Sequence, residues 1–488
     1  MDTSIKTLGE LKKSGYQAKT ITEELRGNLA RKLKSGEKVF NNIIGYDDTV
    51  IPELERAVLA GHSINFLGLR GQGKTKMARL LVQLLDEYTP IIEGSALNED
   101  PLNPITAKYK RLVKELGDET PISWWHRSER YAEKLATPDV NIADLIGDVD
   151  PIKAANLKLS LSDEEVLHFG IIPRSNRGLF VINELPDLQP RIQVALFNLL
   201  QEEDIQIRGF KLRIPMDIQF IFTSNPEDYT NRGSIITPLK DRIQSQIYTH
   251  YPETNEIGRI ITKQEVKRSI GQENIFVSPV IEKLIEQIAI EARKSEFIDV
   301  KSGVSARLPI SAYENILSAV ERRMLLNGDS VGIARIGDLT AAVPAIIGKI
   351  EMVYEGEQEG APNVAKRLIS QAIRAIAPEY FDNIHYLSQK RAPQELKDNY
   401  KAITTWFETG KKVDLLNEMT QVEYEKSLNK VNGLNEKVEK LTADKAEKIV
   451  FKEFLLTALA EFSLLERKQL KRGAYFQDYF KSVIGGLQ

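Results

Sequence analysis

A glycine-rich segment, GLRGQGKT at residues 68–75, constrains the fold of this chain more than any other feature. It follows a short apolar run at residues 64–67 and opens a stretch with helical periodicity, so we expect a strand, a loop and a helix in that order. In such a loop the backbone N–H groups can surround phosphate oxygens, and the helix N-terminus adds a favourable dipole. The lysine would reach the β- and γ-phosphates of ATP, and the last hydroxyl would bind Mg²⁺. The predicted nucleotide-binding residues are Gly68, Gly71, Gln72, Gly73, Lys74 and Thr75.

Composition excludes several other chemistries. The 488 residues contain no cysteine, which rules out disulfides, cysteine-ligated zinc, iron–sulfur clusters and thiol catalysis. The five histidines never occur four residues apart, the spacing of a helical His-pair metal site. Lys and Arg number 66 against 69 Asp and Glu, and the net charge of −3 disfavours a nucleic-acid partner. No apolar run reaches the roughly 18 residues that span a bilayer, so we expect a cytoplasmic protein without membrane insertion, and Mg²⁺ as its metal.

Short apolar runs alternate with helical patterns in the first half of the chain. The predicted strands are residues 64–67, 90–93, 179–182, 218–223 and 246–250, with a helix over 74–88. This alternation is typical of crossover helices on a parallel sheet, and it predicts an α/β fold with a five-stranded parallel sheet. Residues 95–177 contain no clear strand and are interpreted as a helical insert. After residue 252 the pattern is helical throughout.

The apolar run at 179–182 ends in Asn183 and Glu184. A strand with this ending can place a metal-binding side chain and a water-activating carboxylate beside the phosphate loop. Glu184 is therefore the predicted catalytic residue that polarises the attacking water. Asn183 can hydrogen-bond a water on Mg²⁺ but brings no negative charge, which can reduce Mg²⁺ affinity or turnover. The alternative is an ordinary turn at the end of a buried strand.

Together these elements resemble the AAA+ ATPases. Residues 147–215 are similar to the magnesium-chelatase I-subunit and MoxR-like branch of that family, whose Gly-x-x-x-Arg-x-x-x-Gly pattern is matched by Gly170, Arg174 and Gly178. Apolar residues at 205, 207, 212 and 214 alternate about a Gly209-Phe210 turn, which predicts a β-hairpin before the next strand.

The resemblance implies roles for residues outside the two motifs. These are Ile44, Gly45 and Tyr46 near the adenine, Asn225 orienting the attacking water, and Arg307 contacting nucleotide bound by the same chain. In the segment TPLKDRI, Arg242 would act as an arginine finger on the γ-phosphate bound by a neighbouring subunit, and Arg232 is the alternative for that role.

A domain order follows from the same resemblance. Residues 1–40 would form an N-terminal extension of short surface helices, and 253–355 a helical lid. Between them, 41–252 would form the P-loop AAA+ domain, with an insert at about 95–177 and the hairpin at about 204–214. A stretch containing Gly, Glu and Pro at 355–363 is the predicted linker. Residues 364–488, which the resemblance does not cover, would form an additional helical C-terminal domain.

The expected function is an ATPase that assembles as a homo-oligomer, a hexameric ring, and uses Mg·ATP at its subunit interfaces to remodel a partner protein. The resemblance suggests a partner with a von Willebrand-type domain, and metal insertion or complex maturation as the process. Because of Asn183, a nucleotide-gated assembly scaffold with little hydrolysis is the alternative. A transcriptional activator is disfavoured since the Gly-Ala-Phe-Thr-Gly-Ala loop is absent, while a DNA-remodelling ring stays open. The aromatic and basic segment at 122–131 is interpreted as packing rather than a nucleic-acid stacking surface.

Overall fold

The computed structural model describes residues 2–160, 164–206, 213–226, 233–388, 398–470 and 472–479. It divides into two compact units, Met1–His250 and Tyr251–Gln488. Within the described residues no helix is long and apolar enough to cross a membrane.

In the first unit the strands are β1 Ile64–Leu67, β2 Tyr88–Ile92, β3 Ile122–His126, β4 Tyr131–Leu135, β5 Gly147–Val149, β6 Leu167–Phe169, β7 Gly178–Asn183, β8 Asp204–Gln206, β9 Arg213–Pro215, β10 Ile218–Ser224 and β11 Ser245–Tyr248. Its α-helices include Leu8–Lys13, Ile21–Ser35, Val50–Ala60, Lys74–Leu80, Ala107–Leu116, Ile142–Leu145, Pro151–Leu157, Ile171–Arg174, Pro190–Ala195, Phe197–Gln201 and Thr237–Arg242.

The central sheet has five parallel strands in the order β11-β1-β10-β7-β4, which confirms the predicted α/β fold. Because successive side chains of a strand point to opposite faces, β7 contributes to two cores. Leu179 and Val181 pack with the helices Ile21–Ser35, Val50–Ala60 and Lys74–Leu80. Phe180 and Ile182 pack on the other face with Leu196 and Leu239. The sheet is thus covered by apolar side chains on both faces, as expected for parallel strands.

One predicted strand of this sheet is wrong. Residues 90–92 of this run lie in β2, which pairs antiparallel with β3 in a separate two-stranded sheet. The fifth parallel strand is β4, within the 95–177 region where no strand was expected. Its sequence, YAEKL, has no apolar run because the strand lies at an edge of the sheet and its side chains are half-buried or exposed. The α-helix expected over 74–88 is shorter than predicted and ends at Leu80. A 3₁₀ turn at Leu81–Leu84 follows it.

The N-terminal residues are part of the core, so the expectation of surface helices is wrong for the second helix. Thr20 caps Ile21–Ser35 through a capping box with Glu23. The helix buries Ile21, Leu25 and Leu29 in the same cluster as strands β1 and β7. Sequence periodicity identified the apolar face, but only the tertiary structure reveals what covers it.

The structure describes the segment at 122–131 and both strands of the hairpin. Trp125 is buried and the Trp124 indole N–H donates to the Ile5 carbonyl at 2.9 Å, in agreement with packing of segment 122–131 within the unit. Strands β8 and β9 pair antiparallel, with Ile205 opposite Ile214. The Gly209-Phe210 turn between them lies outside the described residues.

The second unit is mainly helical. Its α-helices include Asn255–Glu265, Pro279–Lys294, Arg307–Asn327, Val343–Ile347, Tyr354–Glu359, Ala361–Ile376, Lys401–Glu408, Gln421–Asn429, Leu434–Glu439 and Lys445–Glu461. Its strands are β12 Ile275–Phe276, β13 Gly332–Ile333, β14 Val413–Leu416, β15 Leu465–Leu470 and β16 Gly473–Asp478. The last three form an antiparallel sheet in the order β14-β16-β15, which the sequence analysis did not predict.

The linker predicted at 355–363 is wrong. This stretch belongs to the helices Tyr354–Glu359 and Ala361–Ile376, separated by Gly360 at a φ of +87°. The second helix buries Val364 and Leu368 in an apolar cluster that extends from Ile275 to Phe476. Gly, Glu and Pro in this segment therefore mark a break between packed helices. The linker prediction failed because the burial of the following helix cannot be read from local composition.

Candidate functional site

The glycine-rich loop connects β1 to the helix Lys74–Leu80, as the motif predicts. Gly71 and Gly73 have φ values of +72° and +75°, a conformation that side chains with a Cβ rarely adopt. A Cβ on Gly68 would lie 2.0 Å from Thr249 Oγ1 and 2.2 Å from Gln72 Oε1. The glycines thus permit both the turn of the loop and the close approach of Thr249, which follows β11 in the same chain.

Lys74 is buried in the loop and is held by polar partners. Its Nζ donates to the Gly68 carbonyl, to the Leu69 carbonyl at 3.1 Å, and to Asn225 Oδ1. Asn225 follows directly after β10, the strand adjacent to β1. The lysine therefore links the phosphate loop to the end of a second strand.

Asn225 also contacts Glu184. Its Nδ2 donates to Glu184 Oε2 at 2.6 Å, so Lys74, Asn225 and Glu184 form a continuous polar chain. Glu184 follows β7 and has φ +56° and ψ +50°, the left-handed conformation that few non-glycine residues adopt. This backbone placement is typical of residues whose position is set by function.

Asn183 lies at the end of β7, between the loop helix and β10. Its Oδ1 accepts hydrogen bonds from Thr75 Oγ1 at 3.1 Å and from Thr223 Oγ1 at 3.2 Å. Thr223 Oγ1 in turn accepts from the backbone N–H of Glu184 at 3.1 Å. Thr223 was not among the residues predicted from the sequence, although its position two residues before Asn225 places it at the same strand edge.

These residues fit a magnesium ion that arrives with phosphates. Mg²⁺ prefers oxygen ligands and usually keeps several waters. Thr75 Oγ1 and Asn183 Oδ1 are oxygen atoms of the kind that Mg²⁺ prefers as ligands, and they are hydrogen-bonded to each other. Among the described residues, no group of three His, Cys, Asp or Glu side chains could hold a metal ion by itself. A magnesium ion at this place would therefore also need phosphate oxygens and waters as ligands.

A carboxylate that the sequence analysis missed lies on the neighbouring strand. Glu133 of β4 is bound by the Arg79 guanidinium and accepts from the Tyr131 hydroxyl at 2.6 Å. The hydrogen bond from Arg79 holds the pKa of Glu133 below its usual range, with a smaller contribution from the Asn183 side chain. Glu133 could not be placed near Asn183 because β4 was not recognised as a strand.

The three residues expected near the adenine precede the helix Val50–Ala60. Gly45 has a φ of +82°, and Ile44 is half-buried. Tyr46 is buried, and its hydroxyl lies 2.8 Å from the Gln72 carbonyl oxygen and 2.7 Å from that of His250. Its ring meets the His250 imidazole edge to face at 4.8 Å. Tyr46 therefore contacts the phosphate loop itself, and its contact with adenine stays a prediction.

The two arginines assigned by resemblance belong to other elements of the chain. Arg242 ends the helix Thr237–Arg242; its Nε donates to Gln201 Oε1 at 3.0 Å, and its guanidinium lies 4.6 Å from the centre of the Phe197 ring. Arg307 is exposed and begins the helix Arg307–Asn327 of the second unit. Arg232 lies outside the described residues. The site thus brings together Lys74, Thr75, Asn183, Glu184 and Asn225. Arg242 is half-buried at the end of another helix and contacts Gln201 and Phe197 instead.

A match to a family model supports the fold of this unit. Residues 162–246 match the family model described as the Sigma-54 interaction domain, an AAA+ domain. No curated protein matches the chain by sequence. The solved structures similar to the chain include NtrX from Brucella abortus, at 13% identity over 60% of this chain and 56% of that one, with a TM-score of 0.34.

Two further solved structures have comparable scores. NtrX from Brucella abortus in complex with ATP is 11% identical over 70% of this chain and 72% of that one, with a TM-score of 0.35. A model of the complex between subunits BchI and BchD of magnesium chelatase contains a chain 18% identical over 65% of this chain and 98% of that one, with a TM-score of 0.34. The parallel sheet, the glycine-rich loop and the family match together give the first unit the fold of an AAA+ domain.

Proposed function

We propose that this protein is an ATPase that binds Mg·ATP at the glycine-rich loop and hydrolyses it to ADP and phosphate. The polar chain from Lys74 through Asn225 to Glu184 carries the proposal, because it links a phosphate-binding group to a carboxylate suited to polarise water. The loop N–H groups and Lys74 would bind phosphate oxygens. Asn225 would then orient the water that Glu184 polarises.

Asn183 and Thr75 would hold the magnesium end of the nucleotide. Mg²⁺, when bound, would neutralise charge that develops on the phosphate oxygens. The Thr75 hydroxyl would contact the ion directly, and Asn183 would hydrogen-bond one of its waters. Ile44, Gly45 and Tyr46 would contact the adenine, and Arg307 would contact the same nucleotide from the lid at residues 253–355.

We further propose that the protein works as a hexameric ring in the cytoplasm. Arg242 supports this proposal because it is only half-buried at a helix end, where a neighbouring subunit can approach it. It would complete the site of that neighbour. The ring would remodel a partner protein, with a von Willebrand-type domain protein as the expected partner, in metal insertion or complex maturation.

One observation favours a second candidate, a nucleotide-gated scaffold with little hydrolysis. Asn183 is neutral at a position beside Thr75 where a carboxylate would bring negative charge to the magnesium shell. Transcriptional activation is not proposed, because the matched segment 162–246 contains no Gly-Ala-Phe-Thr-Gly-Ala sequence.

Two substitutions test the ATPase proposal. Lys74→Ala removes the buried ammonium and is expected to abolish measurable binding of a fluorescent ADP analogue. Glu184→Gln keeps the size of the side chain and is expected to preserve that binding while phosphate release falls on the order of 10²-fold or more. Lys34→Ala, which removes an exposed lysine, is the control. Equal nucleotide binding by the wild type and Lys74→Ala would show that the assigned site is wrong.

A further inference from the structure

The phosphate loop is bonded to the last residues of the first unit. After β11 ends at Tyr248, the chain passes through Thr249 and His250, and the second unit begins at Tyr251. Both Thr249 and His250 are tied to Gln72, at the centre of the loop, by the contacts described below. The residues that bind phosphate and the residues that enter the second unit are therefore within two hydrogen bonds of each other.

The first contact joins two side chains. Thr249 Oγ1 donates to Gln72 Oε1 at 2.6 Å, and both residues are buried at 8% exposure. This bond passes directly over Gly68, where any Cβ would lie about 2 Å from both oxygen atoms. The first glycine of the motif therefore has a second requirement in this chain, which is to leave room for the Thr249–Gln72 bond.

The second contact joins two carbonyl groups through one hydroxyl. The Tyr46 hydroxyl lies within hydrogen-bond distance of both the Gln72 carbonyl of the loop and the His250 carbonyl at the unit boundary. A phenol has a single O–H donor, so a full hydrogen bond can be made to only one of the two oxygens at a time. The two carbonyls thus compete for one proton, and a displacement of either changes the bonding of the other.

We infer that Tyr46 and Thr249 are positioning residues, which fix the phosphate loop at Gln72 and transmit nucleotide occupancy to the junction at residues 250–251. The loop binds phosphate through its N–H groups, so its carbonyls must point away from the ligand and need partners there. Tyr46 supplies that partner for Gln72. When the loop adjusts to a phosphate, the same hydroxyl shifts toward or away from the His250 carbonyl. This inference rests on the proposed nucleotide site and adds a coupling to it.

The experiment combines nucleotide affinity with a distance between the units. The chain has no cysteine, so spin labels at Lys34→Cys and Glu357→Cys, both exposed, are the only ones attached. Binding of a fluorescent ADP analogue is measured for each variant, and the label distance is measured by pulsed electron paramagnetic resonance with and without saturating ADP. We expect the wild type to change its distance distribution on binding ADP.

Tyr46→Phe and Thr249→Val each remove one hydroxyl at nearly constant shape. Each is expected to weaken ADP binding roughly tenfold, since a buried acceptor loses its donor. At saturating ADP each is expected to give less than half of the wild-type distance change. Thr249→Ser retains the hydroxyl and should restore both properties. Tyr109→Phe is the matched control, because Tyr109 has the same 7% exposure as Tyr46 and bonds a carbonyl, that of Gly94, in the insert.

Several outcomes would overturn the inference. Wild-type affinity together with the full distance change in both Tyr46→Phe and Thr249→Val would show that neither residue positions the loop. An unchanged distance in the wild type at saturating ADP would exclude the coupling. The proposed function fails separately, if Lys74→Ala still binds ADP. The circular dichroism spectrum distinguishes a folded Tyr46→Phe variant that binds ADP weakly from an unfolded one. Thr249→Val provides the second measurement.

Discussion

At the scale of single residues, the site combines groups with different degrees of constraint. Lys74 has three hydrogen-bond acceptors around its ammonium group, and Glu184 is fixed by a left-handed backbone and by Asn225. Asn183 is a neutral side chain next to Thr75, beside the expected magnesium position. Its oxygen accepts hydrogen bonds from Thr75 and Thr223, but it carries no charge to attract a divalent cation.

Asn183→Asp tests whether the absence of a negative charge at position 183 limits Mg²⁺ binding and turnover. A carboxylate beside Thr75 adds a negative charge close to the expected magnesium position, so we expect Mg²⁺ to bind the protein–nucleotide complex more tightly and turnover to rise, each by roughly tenfold. The measurements are a Mg²⁺ titration of phosphate release and of fluorescent-nucleotide binding.

The control for Asn183→Asp is Asn399→Asp, which adds the same charge at an exposed position of the second unit. A variant whose Mg²⁺ dependence and turnover match the wild type would show that charge at 183 does not limit the reaction. The scaffold candidate would gain support from wild-type phosphate release well below one per minute together with tight ATP binding.

At the scale of secondary-structure elements, the N-terminal helix Ile21–Ser35 is joined to the sheet by polar contacts as well as apolar ones. Glu24 forms a buried ion pair with Arg130, just before β4, at 2.6 Å. The backbone N–H of Ile21 donates to Asp217 Oδ2 at 2.8 Å, just before β10. Burial raises the pKa of Asp217 to about 6, which outweighs the opposing effects of this hydrogen bond and of Arg177.

The raised pKa predicts how stability depends on pH. Between about pH 4 and 6 the folded state binds the Asp217 proton more tightly than the unfolded state, so this group stabilises the fold at low pH and loses that contribution as the pH rises through about 6. Asp217→Asn stays neutral. We therefore expect its unfolding free energy, relative to the wild type, to increase by roughly 1 to 1.5 kcal/mol between pH 5 and pH 7.5.

The measurement of the Asp217→Asn effect is urea unfolding followed by tryptophan fluorescence. A Trp406→Phe background leaves Trp124 and Trp125 as reporters of the first unit. Asp48→Asn, which alters an exposed carboxylate, is the control. A difference between Asp217→Asn and its parent that is the same at both pH values would contradict the expectation.

At the scale of the whole molecule, two units have separate apolar cores. In the first unit, the cores lie on the two faces of the parallel sheet, and the site is at the carboxyl ends of β1, β7 and β10. In the second, one cluster extends through the segments interpreted from sequence as a lid and a C-terminal domain. The sequence interpretation separated residues 253–355 from 364–488, whereas the structure buries residues of both segments in one apolar cluster of the second unit.

Ring assembly is a property of the whole molecule and predicts activity that depends on concentration. If Arg242 acts on a neighbour, phosphate release per subunit should rise with protein concentration, and Arg242→Ala should lower it on the order of 10³-fold. Mixing Arg242→Ala with Glu184→Gln should recover activity, because each variant supplies the group that the other lacks. Arg191→Ala, which removes an exposed arginine, should behave as the wild type. A constant rate per subunit, and no recovery in the mixture, would exclude catalysis between subunits.

The sequence alone determined the elements whose signals are local. The loop at 68–75 has a fixed spacing, the strands β1, β7 and β10 are continuous apolar runs, and Glu184 and Asn225 directly follow two of those strands. Parallel strands end at the same edge of a sheet, so these residues could be predicted to meet from their positions at strand ends.

The tertiary structure alone decided which distant residues support that edge. Strand β4 has a polar, half-exposed sequence, and only its pairing with β7 places Glu133 near the site. Tyr46, Gln72 and Thr249 are far apart in the chain, yet they are in contact around the phosphate loop. Such contacts depend on how the whole chain packs, and no local periodicity or motif encodes a single hydroxyl shared between two distant carbonyls.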